Sequence, residues 1–126
     1  MPDSGESAQA LRQRFNAPME GMAPDAAGLI WLDDAQAFHT VMGADLPLST
    51  ARELAAVQKP LAARAFGDAV SHAPWHNKPS RYLLTTNDCA LQPHVQRLIA
   101  DQLKGRTEVL ASSHLSLASP PRRWQS

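Results

Sequence analysis

The sequence predicts an α/β fold in which short helices are followed by a strand–helix–strand unit. Residues 81–86 are mostly apolar and rich in β-formers, as expected of a strand buried in a parallel sheet. Gln92-Pro93 then opens an amphipathic helix, and a second β-rich run covers 107–111. A strand, a helix and a strand within about 30 residues form a βαβ unit, which makes a right-handed parallel pair of strands.

Length and composition limit what kind of protein this is. Its 126 residues suffice for one domain, and 12 basic against 12 acidic side chains give no net charge. A neutral chain is not expected to bind nucleic acid through counterion release. No apolar run reaches the roughly 18 residues of a membrane span, and the first residues lack the basic and apolar stretches of a signal peptide. We therefore expect a cytoplasmic protein that binds neither nucleic acid nor a membrane.

A short helix and a loop are predicted at the start of the chain. Ser7 is a suitable N-cap for a turn that places Ala8, Leu11 and Phe15 on one face. Prolines and a glycine then break regular structure over the segment that follows. The apolar run 28–32 is too short to distinguish a strand from a buried turn.

Three short helices are predicted over 33–67. Asp33-Asp34 suits the start of the first. Thr50 and Glu53 have the spacing of a capping box, which places the start of the second helix there. The third covers 61–66, with a proline in its first turn. The residues expected to end the three helices are Gly43, Pro60 and Gly67.

The βαβ unit is flanked by segments without periodicity. A loop is predicted over 72–79 before the first strand, and a loose, solvated tail over 116–126, which contains Arg122-Arg123. The helix between the strands is expected to end at Gly105. The apolar residues expected on its buried face are Val95, Leu98, Ile99 and Leu103.

Polar side chains follow both predicted strands where each strand ends. Asn87-Asp88 comes after the first strand, and Ser112-Ser113-His114 after the second. Because neighbouring parallel strands lie roughly 4.8 Å apart, we expect Asp88 and His114 to be within hydrogen-bond range. A carboxylate beside one imidazole nitrogen fixes the tautomer and leaves the other nitrogen as a general base. Taken singly, an aspartate after a strand is usually a turn-former or a helix cap, and a histidine before a loose tail is usually a surface residue; the joint placement after two strands favours a functional pair.

Several segments carry a resemblance to a known family. They are Pro2-Asp3-Ser4-Gly5-Glu6-Ser7, Ala65-Phe66-Gly67, 78–83, 86–97 and 112–114. Over about residues 2–118 the chain resembles the C-terminal half of an α/β-hydrolase, in the branch of small esterases, plant methyl-ester hydrolases and hydroxynitrile lyases. The resemblance implies that Asp88 is the acid and His114 the base of a Ser-His-Asp triad that hydrolyses carboxylic esters or related acyl substrates.

The resemblance also implies a division of the chain and a partial α/β-hydrolase fold. Residues 1–15 would be a lead-in loop and short helix, and 16–75 a helical cap over the active site. Residues 76–115 would hold the last parallel strands of the core, and 116–126 would be a disordered or divergent tail. A small-molecule ester would then bind only when the missing N-terminal half completes the protein.

The nucleophile of that family has no counterpart in this sequence. No Gly-x-Ser-x-Gly motif occurs, and the nearest segment, Gly5-Glu6-Ser7-Ala8-Gln9, lacks the second glycine. The oxyanion hole, formed partly by the residue after the nucleophile, would be absent too. We therefore expect a hydrolase cut before its nucleophile, or a misplaced start codon, and a chain that is inactive alone. The alternative is a non-catalytic remnant that associates with itself or another chain through an exposed sheet edge.

Other candidate sites are weaker. Cys89 could act as a nucleophile with His114, and as the only cysteine it excludes an intrachain disulfide and a thiolate zinc cluster. His72 and His76 have i, i+4 spacing, but Pro74 between them disfavours the helix that a metal-binding pair needs. We expect no metal and no cofactor. Four aromatic residues either line an apolar substrate pocket or simply pack: Trp31, Phe38, Phe66 and Trp75.

Overall fold

The computed structural model describes residues 1–17 and 21–119, and within these ranges it contains four α-helices and four strands. The strands form two separate two-stranded sheets. The elements are α1 (Ala8–Arg14), β1 (Leu29–Ile30), α2 (Ala35–Met42), α3 (Leu48–Ala56), β2 (Leu61–Ala62), β3 (Arg81–Thr85), α4 (Pro93–Leu103) and β4 (Arg106–Leu110). Two 3₁₀-helices cover Ala63–Phe66 and Pro74–His76. The general α/β character predicted from the sequence is confirmed.

The N-terminal segment is fastened to residues 69–76. Ser7 caps α1 as predicted, because its hydroxyl accepts a hydrogen bond from the N–H of Ala10 at 3.0 Å. The N–H of Gly5 donates to the carbonyl of Val70 at 2.8 Å. The indole of Trp75 donates to the carbonyl of Pro2 at 3.1 Å. The predicted loop over 72–79 therefore includes a short helical turn that supports the start of the chain.

Helices α2 and α3 pack around a small buried cluster of Phe38, Ala51 and Ala55. Asp34 caps α2 and Gly43 ends it, as predicted. The capping box predicted at Thr50 is wrong, because α3 already begins at Leu48 after Pro47 and has no side-chain cap. Thr50 therefore lies within the first turn of α3, where its hydroxyl cannot act as the N-cap.

The helix predicted over 61–66 is also wrong in its first two residues. Leu61 and Ala62 form β2, which pairs antiparallel with β1, with Leu29 opposite Ala62. The N–H of Ala63 then donates to the carbonyl of Gly28 at 2.9 Å. The backbone groups of β1 thus find partners in residues that local propensity assigns to a helix. Only Ala63–Phe66 is helical, and it ends at Gly67 as predicted.

The βαβ unit matches the prediction in its order and direction. β3 and β4 are parallel, with Arg81 opposite Arg106 and Thr85 opposite Leu110. α4 packs against β3 and buries Val95, Ile99 and Leu103, whereas Leu98 is 44% exposed at the edge of that face.

Gly105 has a different role from the one predicted. Lys104, not Gly105, is the left-handed C-cap of α4, with φ of 52°. A Cβ on Gly105 would overlap the backbone carbonyl group of Ser80. The glycine is required because the chain directly before β4 runs beside the chain before β3, with the carbonyl group of Ser80 where a Cβ would lie.

The chain after β4 turns back onto α2. The N–H groups of Ala118 and Ser119 both donate to the carbonyl of Leu115. Residues 116–119 of the predicted loose tail therefore form a turn, and Arg122-Arg123 lies outside the described residues. Within the ranges the structure describes, the longest helix has 11 residues, and no helix is long and apolar enough to cross a bilayer.

Candidate active site

Asp88 and His114 form a hydrogen-bonded pair at the carboxyl end of the β3–β4 sheet. Oδ2 of Asp88 lies 2.8 Å from Nδ1 of His114. The in-register parallel strands bring both loops to the same edge, and the N–H of Thr86 still donates to the carbonyl of Leu110 at 3.0 Å just beyond β3. The proximity predicted from the sequence is confirmed.

The carboxylate of Asp88 is almost fully enclosed, with 3% of its side chain exposed. Its Oδ1 accepts from the N–H groups of Ala90 and Leu91 at 2.8 and 2.9 Å, a turn typical of aspartate. Its Oδ2 accepts from the Thr85 hydroxyl at 2.9 Å and the Gln96 amide at 3.2 Å, in addition to His114. Five hydrogen bonds hold this carboxylate in one orientation.

The two partners shift each other's pKa in opposite directions. Burial alone acts to raise the pKa of Asp88, but hydrogen bonds from His114, the Leu91 N–H and Thr85 outweigh it, so that the pKa is lowered. The hydrogen bond to Asp88 raises the pKa of His114, against the opposing effects of burial and of Arg12. The pair is therefore an ionised carboxylate beside an imidazole that holds a proton more firmly than usual.

The imidazole borders an open cleft. His114 has 41% of its side chain exposed and lines a cleft of about 230 Å³ together with Tyr82, Leu83 and Ser116. Within the described residues, Nε2 of His114 has no hydrogen-bond partner. With Nδ1 engaged by Asp88, Nε2 is left to take up and deliver protons.

Gln96 is a site residue that the sequence analysis missed. It lies on α4, is 2% exposed, and its amide nitrogen donates to Oδ2 of Asp88 and to the carbonyl of Leu91. Its carbonyl oxygen accepts from the N–H of Thr85 at 2.9 Å. The sequence does contain a sign of this role. Gln96 lies three residues before Ile99 and seven before Leu103, so helical spacing places a polar side chain on the apolar, buried face of α4.

Asp45 is a second residue that the sequence analysis missed. It follows α2, and its Oδ2 accepts from the N–H of Ser113 at 2.9 Å, next to His114. No local pattern reveals this contact, because the two residues are 68 positions apart in the chain.

The structure places the four aromatic residues, which were expected either to line a substrate pocket or to pack, in different parts of the fold. Phe38 is 2% exposed and packs between α2 and α3, where its ring is part of the hydrophobic core. Trp31 is exposed, and its indole donates to Asp25 at 3.0 Å. Phe66 lines a cleft of about 450 Å³ beside α1, and Trp75 stacks on His76. None of the four is among the residues that line the cleft at His114.

The weaker candidates do not join the pair. Ser7 is buried and its hydroxyl caps α1. Cys89 is exposed, and no hydrogen bond described in the structure connects it to His114. Nε2 of His76 lies 2.7 Å from Oδ1 of Asp3, so this nitrogen is engaged by a carboxylate and not by a metal ion shared with His72. Among the described residues no group of three or more histidine, cysteine and acidic side chains is placed to hold a metal ion.

Comparison with known proteins adds no family to this geometry. Neither models of protein families, nor curated proteins, nor solved structures gave a match. The contacts of Asp88 and His114 are therefore what indicates a function for this chain.

Proposed function

We propose that this chain supplies the acid and base of an α/β-hydrolase that cleaves carboxylic esters or related acyl substrates. The observation that carries the proposal is the 2.8 Å hydrogen bond between an almost fully enclosed carboxylate and an imidazole that borders a cleft. The quoted segments that resemble small esterases support the same assignment.

In this reaction His114 moves protons and Asp88 orients it. A serine hydroxyl would attack the acyl carbon while Nε2 of His114 takes its proton, and the same nitrogen would then protonate the leaving alcohol. Asp88 would stay ionised throughout, holding Nδ1–H and stabilising the imidazolium. The five hydrogen bonds on Asp88 suit this role, because they keep its orientation fixed while His114 gains and loses a proton.

The attacking serine would come from a segment other than these residues. Ser116 lines the same cleft as His114, but no described hydrogen bond joins the two side chains. The serine in the family's motif lies between a strand and a helix, and Gly-x-Ser-x-Gly is absent from the sequence. Residues 1–126 alone are expected to show no His114-dependent turnover.

The test extends the expressed chain upstream along its own reading frame. The extended frame should encode a strand followed by Gly-x-Ser-x-Gly, and its product should hydrolyse p-nitrophenyl acetate. His114→Ala should lower that rate by about 10³-fold or more, whereas His94→Ala, on the exposed face of α4, should leave it unchanged. An upstream frame without such a serine, or turnover by residues 1–126 that requires His114, would overturn the proposal.

A second candidate function is association through the edge of the β3–β4 sheet. Within the described residues this sheet has two strands, and an unpaired strand edge is a template for another chain. Val109 of β4 is 43% exposed. On β3, in contrast, the Gln96 amide already occupies the backbone groups of Thr85. The favoured edge is therefore that of β4.

Sedimentation of the purified chain tests this association. If the edge of β4 pairs with another chain, the wild type should sediment as a dimer or a larger species. Val109→Lys should sediment as a monomer, because a charge on an edge strand opposes pairing. A wild-type chain that stays monomeric at high concentration excludes it.

A further inference from the structure

The loop that carries His114 is bonded to the end of α2 on both sides of the histidine. Before His114, the backbone N–H of Ser113 donates to Oδ2 of Asp45 at 2.9 Å. After it, the N–H of Leu115 donates to the carbonyl of Met42 at 3.3 Å. His114 is thus the single residue between two backbone N–H groups that donate to one short segment, 42–45, the first to a side-chain carboxylate and the second to a backbone carbonyl.

Apolar packing reinforces one of the two attachments. The Leu115 side chain packs on the cluster of Phe38, Ala51 and Ala55 between α2 and α3. It also lies beside Gly43, where an added Cβ would be in ordinary contact with Leu115 Cδ1 at 3.5 Å. The position of residue 115 is therefore fixed by packing, whereas that of residue 113 depends on Asp45.

The carboxylate of Asp45 accepts a hydrogen bond from the N–H of Ser113 and interacts with the polar groups of Ser113 and Ser119. Its Oδ1 is buried and has no hydrogen-bond partner among the described residues, an arrangement that disfavours a charged group. Burial acts to raise the pKa of Asp45, but the polar groups of Ser113 and Ser119 lower it overall, so the group is ionised at neutral pH. An acceptor held in such a setting has its main contact in the N–H of Ser113.

We propose that Asp45 is a positioning residue for His114, because it fixes the backbone of Ser113 and thereby sets the distance between the imidazole and Asp88. The inference rests on the proposed function, in which that imidazole is the base. It implies that a displacement of α2 and α3 relative to the sheet would loosen the pair of Asp88 and His114.

The test follows the His114 imidazole and the Ser113 amide by nuclear magnetic resonance, which requires no hydrolysis. Asp45→Ala removes the acceptor, and the His114 titration midpoint should fall towards its ordinary value as the bond to Asp88 loosens. Exchange of the Ser113 amide proton should become roughly tenfold faster. Asp45→Asn keeps an acceptor without the charge and should leave both readouts as in the wild type.

Asp34→Ala is the matched control, because it removes the cap of the same helix α2 without touching residues 113–115. Equal shifts of the His114 midpoint in the Ala and Asn variants of Asp45 would show an effect of charge and overturn the inference. An equal shift in Asp34→Ala, or none in Asp45→Ala, would do the same.

If Asp45→Ala does not fold, the unaltered chain answers the question. The amide proton resonance of Ser113 should then shift as the Asp45 carboxyl is titrated. A chemical shift that stays constant through this titration would refute the contact. Since neither measurement uses an ester, a failure here is separate from a failure of the proposed hydrolase activity.

Discussion

The side-chain amide of Gln96 pairs with the backbone of Thr85 as a neighbouring strand would. The two protons of its nitrogen are shared among the Thr85 carbonyl at 3.1 Å, the Leu91 carbonyl and Asp88, and its oxygen accepts from the Thr85 N–H at 2.9 Å. The same nitrogen lies 3.2 Å from Oδ2 of Asp88. One buried amide therefore closes the end of β3 and supports the carboxylate of the candidate site.

Replacing Gln96 should destabilise the fold strongly. Gln96→Leu leaves the N–H and carbonyl of Thr85 buried without these partners, and we expect a loss of about 2–4 kcal/mol in the free energy of unfolding. Urea denaturation measures it. Gln92→Ala, at an exposed position one turn earlier, should change the value by no more than about 0.5 kcal/mol. A Gln96→Leu chain as stable as Gln92→Ala would contradict the role described.

The pair of Asp88 and His114 should make stability depend on pH. The raised pKa of His114 means that its contribution is complete below the ordinary value of 6.5 and is lost as the pH rises through the raised pKa. The lowered pKa of Asp88 means that its contribution is present above the ordinary value of 3.8 and is lost as the pH falls through the lowered pKa. The stabilisation is therefore greatest in the mildly acidic range between the two ordinary values.

Unfolding free energies at mildly acidic and mildly alkaline pH, compared with Asp88→Asn, measure this dependence. The difference between wild type and Asp88→Asn should shrink as the pH rises, because His114 loses its charge. His94→Ala, which removes an exposed histidine, should keep the wild-type dependence. A difference that does not change with pH would show that the pair is not ionised in the folded chain.

Gly105→Ala should weaken the βαβ unit. The added methyl group would overlap the backbone carbonyl of Ser80, and backbone must move to admit it. We expect a loss of about 2–3 kcal/mol in thermal or urea unfolding. At Gly67 an added Cβ would meet the carbonyl of Arg64 at 3.4 Å, an ordinary contact. Gly67→Ala should therefore stay close to the wild type, and an equal loss in both variants would remove the explanation.

Phe38→Ala tests whether this ring belongs to the core or to a pocket. Because Phe38 is 2% exposed between α2 and α3, its truncation should lower the free energy of unfolding by about 3–5 kcal/mol. Trp31→Ala, at an exposed ring, should cost much less. If truncation of Phe38 leaves stability intact and creates no cavity that binds a small apolar probe, its assignment to the core is wrong.

Much of the fold and the central pair could be predicted because local rules agree there. Hydrophobic periodicity and strand-forming composition identify β3, α4 and β4, and parallel geometry then brings Asp88 and His114 together. β2 could not be predicted, since its two residues are strand only because β1 supplies partners. The local propensity of a residue does not take into account whether another strand is available to pair with it.

The support around the pair could not be predicted for a related reason. Gln96 and Asp45 matter through contacts with Thr85 and Ser113, which depend on how α4 and α2 pack. A single sequence states the residue type but not the packing. The separation of Phe38, Trp31, Phe66 and Trp75 into different places was likewise invisible, because aromatic content alone does not distinguish a pocket from a core.

The contacts that surround the pair join distant parts of the chain, with consequences for the order of folding. The Arg12 guanidinium donates to the carbonyl of Ala90 across 78 positions, and Asp45 meets Ser113 across 68. Closing loops of this length lowers the conformational entropy of the chain before the new contact can stabilise it. Such contacts therefore form late and slowly. We infer that the βαβ unit can gather early from nearby residues, whereas the loop of His114 acquires its final shape among the last events of folding.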